Sequence, residues 1–319
     1  MLKTLEISIL KELTKLFLSM IPKAKSEQLI SIYLYICDIY KDQLQFFCER
    51  FSNNKNPEFT DQEILTIYLF VMYFEKRFKI NQIHQFAKDY LLSWFPKLPS
   101  YVAFNNRLNR MSGAFQHLFL RLITDYQPPD CIKIMSVLDS MPIITCSGKR
   151  RSKIAREITD KTYCATKGIW YWGLKLHVMG FKRNNSTPFP ESVVITQASE
   201  NDLNVFKQNW GMIPGRQFFG DKIYHDTDYF ESLSAENGSV MLTPIKGIKN
   251  QDERLRQIDQ AFVNLFSTAV SRVRQPIESF FNWLNEKTNI QRASNVRSTN
   301  GLLVHVFGKL AVAFIGLIF

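Results

Sequence analysis

At Pro128-Pro129-Asp130 the apolar periodicity of this chain changes character. Upstream, apolar residues recur every three or four positions. Downstream, they gather in short alternating or continuous runs. One period suits helices and the other strands, so the chain should fold as a helical region followed by a mixed α/β region. In the first part, Leu2–Phe17 is amphipathic and Ser26–Phe51 is a long periodic stretch rich in aromatics. The polar segment Ser52–Pro57 interrupts the pattern. Thr60 and Glu63 then form a capping box ahead of Ile64–Phe74. Asn81–Trp94 reads as a further helix stopped by Phe95–Pro99, and Ser100 can cap a helix over Tyr101–Leu122.

Downstream, Ile132–Leu138 reads as a short strand ending in Asp139. Trp170–Met179 and Ser192–Thr196 are two more strands. Asp202–Trp210 is helical, Gln217–Phe219 leads into Gly220-Asp221, Asp226–Ala235 is a helix and Ser239–Thr243 a strand. A long helical region begins near Asp252 and breaks or restarts at Pro276. Gly301–Phe319 is strongly apolar but is interrupted by His305 and Lys309, which favours a buried terminal helix over a membrane span. Division at residue 130 gives domains 1–130 and 131–319.

The chain has 40 Lys+Arg against 29 Asp+Glu, a net charge of +11, and the excess is local. Residues 149–183 hold 10 basic residues and 2 acidic ones. A concentrated positive charge favours a polyanion, most commonly nucleic acid. The five cysteines, Cys37, Cys48, Cys131, Cys146 and Cys164, are odd in number and show no CxxC spacing. This argues against a disulfide framework or a zinc site and fits a reducing interior.

Three acids have settings that suit phosphoryl transfer, which requires carboxylates to hold hard cations in basic surroundings. Asp139 follows the apolar run Val137-Leu138, at a sheet rim where open α/β folds place ligands. Asp221 follows Phe218-Phe219-Gly220, where glycine allows close backbone approach. Glu278 borders the helical stripe Ile277, Phe280, Phe281 and Leu284. Taken singly, each can also be a turn, a cap or a solvated helix face. Asp61, Glu63, Asp202, His225, Asp226 and Asp228 are read as caps or surface residues.

Together the pieces resemble the DDE transposases of bacterial insertion sequences, closest to the insertion-sequence-982 group. The resemblance spans most of the chain. In the helical part it is carried by Thr60–Leu65, Leu98–Tyr101 and Phe104–Leu108. In the second part it is carried by Asp139-Ser140, Gly173–His177, Gly220–Lys222 and Arg274–Glu278. The three acids lie 82 and then 57 residues apart. The resemblance implies an α/β, RNase H-like catalytic core preceded by an all-α DNA-binding domain. It makes Asp139, Asp221 and Glu278 the catalytic residues and the ligands of two Mg²⁺ or Mn²⁺ ions. The implied reaction cleaves element ends and joins the 3′-OH to target DNA. The implied partners are double-stranded DNA, as terminal inverted repeats and target, and further copies of the chain on that DNA, without a membrane. The implied location is the bacterial cytoplasm, associated with the nucleoid. Where related chains carry Tyr-x-x-Arg-x-x-x-Glu with Lys seven residues on, this one keeps Arg274 and Glu278. It has Ser271 and Asn285 at the other places, with Lys287 two residues beyond.

For DNA contacts the sequence offers the run Lys149, Arg150, Arg151, Lys153 and Arg156. It also offers Lys175, Lys246 (with Lys249), Arg274 and Lys287, and, for base edges, Asn105 and Arg107. Trp170, Tyr171 and Trp172 are read as strand residues filling the core, with stacking on an unpaired base as the alternative. Two rival functions stay open: a metal-dependent nuclease of the same fold that never joins strands, and a transposase-derived DNA-binding protein without catalysis.

Overall fold

A computed structural model describes residues 21–50, 57–245 and 253–319, with the backbone alone over 253–259. The helix expected at Leu2–Phe17, most of Ser52–Pro57, and both Lys246 and Lys249 lie outside these residues.

The described residues up to Asp125 are helical. Helix α1 (Lys23–Ile39) continues through a π-helical turn, Tyr40–Leu44, and one further turn to Phe47. Helix α2 (Asp61–Phe74) starts at the expected box: the Thr60 side chain accepts from the Glu63 N–H, and the Glu63 carboxylate accepts from the Thr60 N–H. Such a cap contributes about 1 kcal/mol. All residues from Ile64 to Met72 are buried, so α2 is enclosed on every side. Helix α3 (Ile80–Tyr90) follows.

Tyr101–Leu122 is not one helix, as its spacing suggests, but two: α4 (Tyr101–Leu108), capped by Ser100, and α5 (Ser112–Asp125). The chain turns between them, with the Arg110 and Met111 N–H groups bonded to the carbonyls of Arg107 and Leu108. Ser112-Gly113 is a weak helix-propagating pair, and Met111 stays fully buried, so the apolar pattern runs unbroken through the turn.

The contacts divide the chain into two compact units. The first holds the described residues to Leu122 together with Lys287–Asn289 and Asn300–Phe319; the second holds Ile123–Glu286 and Ile290–Thr299. The C-terminal helix, α10 (Thr299–Ile315), thus counts with the N-terminal helices instead of closing the α/β unit. Its length is almost wholly buried, and at Gly308 an added Cβ would lie 2.7 Å from the Tyr68 hydroxyl, so only glycine allows this approach to α2. Lys309, 3% exposed, donates to the Asn289 carbonyl at 3.0 Å, and burial pushes its ammonium down to about 7. Among the described residues no helix is long and apolar enough to cross a membrane.

The second unit is a six-stranded mixed sheet flanked by helices. Its strands are β1 (Ile132–Ser147), β2 (Asp160–Cys164), β3 (Ile169–Lys182), β4 (Phe189–Gln197), β5 (Gln217–Phe219) and β6 (Val240–Leu242). The order is β2-β3-β1-β5-β6, with β4 sharing the outer edge of β3 with β2. Strand β3 runs antiparallel to both of its neighbours β1 and β4, while β5 runs parallel to β1 and β6 parallel to β5. Helices α6 (Asp202–Asn209) and α7 (Thr227–Asn237) cover one face. Phe206, Trp210 and Leu233 pack there with Leu138, Met179, Phe218 and Tyr224. Helix α8 (Glu253–Arg274) lies against β1 and β5. After Gln275, Pro276 opens α9 (Pro276–Thr288), where a missing N–H costs nothing.

Candidate active site

Strand β1 does not stop at Asp139 but continues to Ser147, paired with β3 throughout. What ends near Asp139 is the partner on the other edge. The parallel ladder to β5 runs Met135↔Gln217, Ser136↔Phe218, Val137↔Phe219 and goes no further. Among the described residues that edge of β1 has no ladder partner again until Ile144, whose N–H donates to the Gln291 carbonyl and whose carbonyl accepts from the Ala293 N–H, so Pro142, which lacks an N–H, is tolerated between them. Extending the register by two residues sets Asp139 alongside Asp221, and neighbouring strands are about 4.8 Å apart. The turn after β5 holds Asp221 in place. Its carboxylate accepts from the Ile223 N–H at 2.9 Å, and its carbonyl accepts from the Tyr224 N–H. At Gly220 a Cβ would meet the Tyr224 ring at 2.5 Å, so the turn closes only with glycine.

The third acid arrives from the helices. Arg274, the last residue of α8, donates to Asp139 Oδ2 and to Glu278 Oε1, each at 3.0 Å. One guanidinium therefore links β1 to the first turn of α9. Glu278 is more than half exposed, whereas Asp139 and Arg274 are about one-fifth exposed. The expected stripe Ile277, Phe280, Phe281 and Leu284 is buried and fixes the face that Glu278 borders.

Burial pushes the Asp139 carboxyl up to about 6. The Ser140 N–H and Arg274 pull it down, and the neighbouring charges of Asp221 and Asp202 push it up. Because the folded value exceeds that of an unfolded chain, Asp139 favours folding when protonated. That contribution is complete below about pH 4 and is lost as pH rises through 6. In metal-free buffer, denaturant unfolding of the parent should therefore show stability falling by on the order of 2–3 kcal/mol across this window. Asp139→Asn should remove that slope. An unchanged slope in the variant would assign the titration to another group.

Asp202, expected to be a cap or surface residue, is instead part of this site. It lies in the first turn of α6, is 9% exposed, and accepts from Ser140 Oγ and Lys175 Nζ, each at 3.1 Å. The signal was present: Asp202, Val205 and Phe206 share the buried stripe of α6 at i, i+3, i+4. Lys175 also donates to the Glu200 carbonyl, so its ammonium is engaged within the unit. His177 is fully buried and bonded to Thr196 Oγ1. Its Nδ1 stands 3.3 Å from Asp202 without a hydrogen bond. Burial, with Lys175 alongside, pushes the imidazole down to about 3.

A cleft of about 710 Å³ opens over Asp221 and Arg274, lined further by Lys222, Ser271 and Arg272. A second hollow of about 800 Å³ shares Arg272 and Gln275 with it and reaches Lys182 and Arg183 on the β3–β4 hairpin. A polar, cationic trough thus leads away from the acids.

The donor set is made of hard carboxylate oxygens, which suits Mg²⁺ or Mn²⁺. One further observation fits a cation. Asp139, Asp202 and Asp221 all act on the buried Tyr224, whose hydroxyl has no hydrogen-bond partner among the described residues. Asp139 and Glu278 are at present neutralised by Arg274. Among the described residues no three His, Cys, Asp or Glu side chains are close enough to share one ion; the guanidinium stands between two of the acids.

The remaining candidates are dispersed. Lys149, Arg150, Arg151 and Lys153 are exposed in the loop between β1 and β2, where Arg156 turns its Nε onto the Ser152 carbonyl. Asn105, Arg107 and Lys287 belong to the helical unit. Asn105 is half-buried there. Arg107 is directed inward onto Asp61 and the Cys48 carbonyl, and Asp61 itself is buried, not a surface acid. Lys287 places its ammonium 5.7 Å from the centre of the Tyr73 ring. Of the two departures from the related motif, Ser271 lines the cleft, and Asn285 accepts from the Gln291 N–H.

No curated protein and no solved structure matches the chain. A family model described as a transposase DDE domain matches residues 133–315, more than half of the sequence and the whole sheet from Lys133 onward. With that match spanning all three acids, the chain belongs to the DDE-domain transposase family.

Proposed function

We propose that this chain cuts the ends of a mobile DNA element and joins the resulting 3′-OH to target DNA, with Asp139, Asp221 and Glu278 as the catalytic carboxylates. The observation that supports the reading is that the β1–β5 ladder ends two residues before both Asp139 and Asp221, near enough for the Asp221 charge to act on Asp139, and that Arg274 bonds both Asp139 and Glu278. An RNase H-like core is supported by the strand order, three antiparallel strands followed by two parallel ones. The insertion-sequence-982 group remains the best family assignment on the motifs.

Asp139, Asp221 and Glu278 would be the carboxylates that hold divalent ions, Glu278 once Arg274 has released it. When bound, such ions supply the Lewis acidity that activates the attacking oxygen and stabilises the leaving one. In the first stage, water displaces the 3′ oxygen at the scissile phosphate and leaves a 3′-OH and a 5′-phosphate. In the second, that 3′-OH displaces a 3′ oxygen of target DNA, so one phosphodiester is exchanged for another. Asp202, through Ser140 and Lys175, keeps the Asp139 region of β1 in register. The trough over Arg272 and Gln275 would take the phosphate backbone.

The test is a strand-transfer reaction. A pre-cut duplex with a 3′-OH end, a supercoiled target plasmid, Mn²⁺ and the full chain should give covalently joined product. Nicking without joining would favour the nuclease alternative, and binding without either would favour the inactive DNA-binding one.

A further inference from the structure

The β2–β3 hairpin presents an aromatic surface that the chemistry above does not use. Tyr163 and Trp170 are directly opposed in the antiparallel ladder and so share one face, with ring centroids 5.5 Å apart. Trp170 is 56% exposed and Tyr163 49%. Tyr171 alternates to the other face and is 2% exposed. The expectation that this tryptophan-rich run fills the core therefore holds for Tyr171 and not for Trp170.

The surroundings are cationic. Lys161, two residues before Tyr163 on the same face, places its ammonium 5.4 Å from the Trp170 ring centre. The Gly148 N–H donates to the Trp170 carbonyl at 2.8 Å, so the basic loop starts beside the indole. Lys149, Arg150, Arg151 and Lys153 follow, all exposed. An aromatic face ringed by cations suits a base with a free π-face and phosphates on either side. Paired bases have their faces stacked inside the duplex and cannot use it.

We infer that Trp170, with Tyr163, is a stacking site for an unpaired DNA base, and that Lys149–Lys153 grip the flanking phosphates. The inference rests on the reading of the chain as a DNA-binding enzyme. The site is separate from the carboxylates. Ser147, which pairs with Tyr171, is eight residues along β1 from Asp139. At about 3.3 Å per residue the hairpin is on the order of 25 Å away. It would therefore hold a base that has left the duplex at a distance from the phosphate being cut.

The experiment compares the full chain with Trp170→Ala, Trp170→Phe and a Lys149→Ala/Arg150→Ala double variant. The probes are a labelled 20-nucleotide oligo(dT) and a 20-base-pair duplex, read by fluorescence anisotropy. Stacking of one base predicts a loss of about 5- to 100-fold on the single strand for Trp170→Ala. The same variant should lose less than about twofold on the duplex, and Trp170→Phe should keep most of the affinity. The double variant should weaken both probes and flatten their salt dependence. Equal binding of the single strand by Trp170→Ala and the parent would overturn the site, as would equal loss on both probes. Parental binding of both probes with no Trp170 effect would remove this site alone. A parent that binds neither would bring down the DNA-binding reading as well, and the site with it.

Discussion

Asp139→Asn is expected to abolish DNA cleavage while leaving the protein folded and bound to DNA. The loss should be about 10³-fold or more, equivalent to some 4 kcal/mol of transition-state stabilisation. The argument is sharper here than for most catalytic acids, because the usual objection to such a variant is that it misfolds. Burial disfavours the ionised form of Asp139 and pushes its carboxyl up, so the neutral amide should leave the melting temperature at pH 7 unchanged or higher. Arg274 keeps Glu278 as a partner after the change, so no buried cation is orphaned. Asp221→Asn should give a similar loss, and the two together should be little worse than either alone, since residues that act as a unit are not additive. Gel-resolved nicking with Mn²⁺, with anisotropy for binding, decides the matter. Cleavage by Asp139→Asn within about tenfold of the parent would remove this carboxylate from the chemistry.

The two acids on the sheet could be found in the sequence because each follows an apolar run and is polar where the pattern requires a strand to finish. The strand end expected at Asp139 is absent, although the β5 ladder does stop two residues before it. Asp139 looks terminal because the apolar run stops, yet β1 continues for eight residues and only its β5 partner ends. One-dimensional patterning reports burial along a strand and carries no information about which neighbour covers each edge. Helix α2 was legible for a different reason, a capping box ahead of an unbroken apolar run. The break between α4 and α5 was not, because the apolar spacing passes through it and only Ser112-Gly113 marks it. Strand β2 was missed altogether: five residues, half exposed, give too short an alternation to stand out. Asp202 and Arg107 mark the other limit. Whether a charged side chain is exposed or buried depends on a partner far along the chain, here Ser140 and Asp61, which local pattern cannot supply.

Arg107→Ala is expected to lower the stability of the helical unit more than it lowers DNA affinity. Sequence reasoning offered Arg107 as a reader of base edges, since arginine on a short polar helix suits the major groove. In the fold its donors are already used. Nε and an Nη donate to the two oxygens of Asp61 at 2.7 Å each, and the same Nη also reaches the Cys48 carbonyl. Asp61 is 4% exposed and is shared with Arg50, again at 2.7 Å. Removing one partner from a buried pair leaves the other charge poorly compensated, at a typical cost of 3–5 kcal/mol. Arg50 remains to offset part of that, which places the expected loss near 3 kcal/mol, a drop in melting temperature of roughly 6–12 °C. Arg107→Lys should recover little, because an ammonium cannot reproduce the two-pronged contact. Lys149→Ala, in an exposed loop, should stay within about 0.5 kcal/mol of the parent. Thermal unfolding of the three variants beside their duplex affinities, measured well below the transition, separates the two roles. Should Arg107→Ala melt with the parent and bind duplex tenfold more weakly, the residue faces DNA and the buried ion pair with Asp61 is not what holds it.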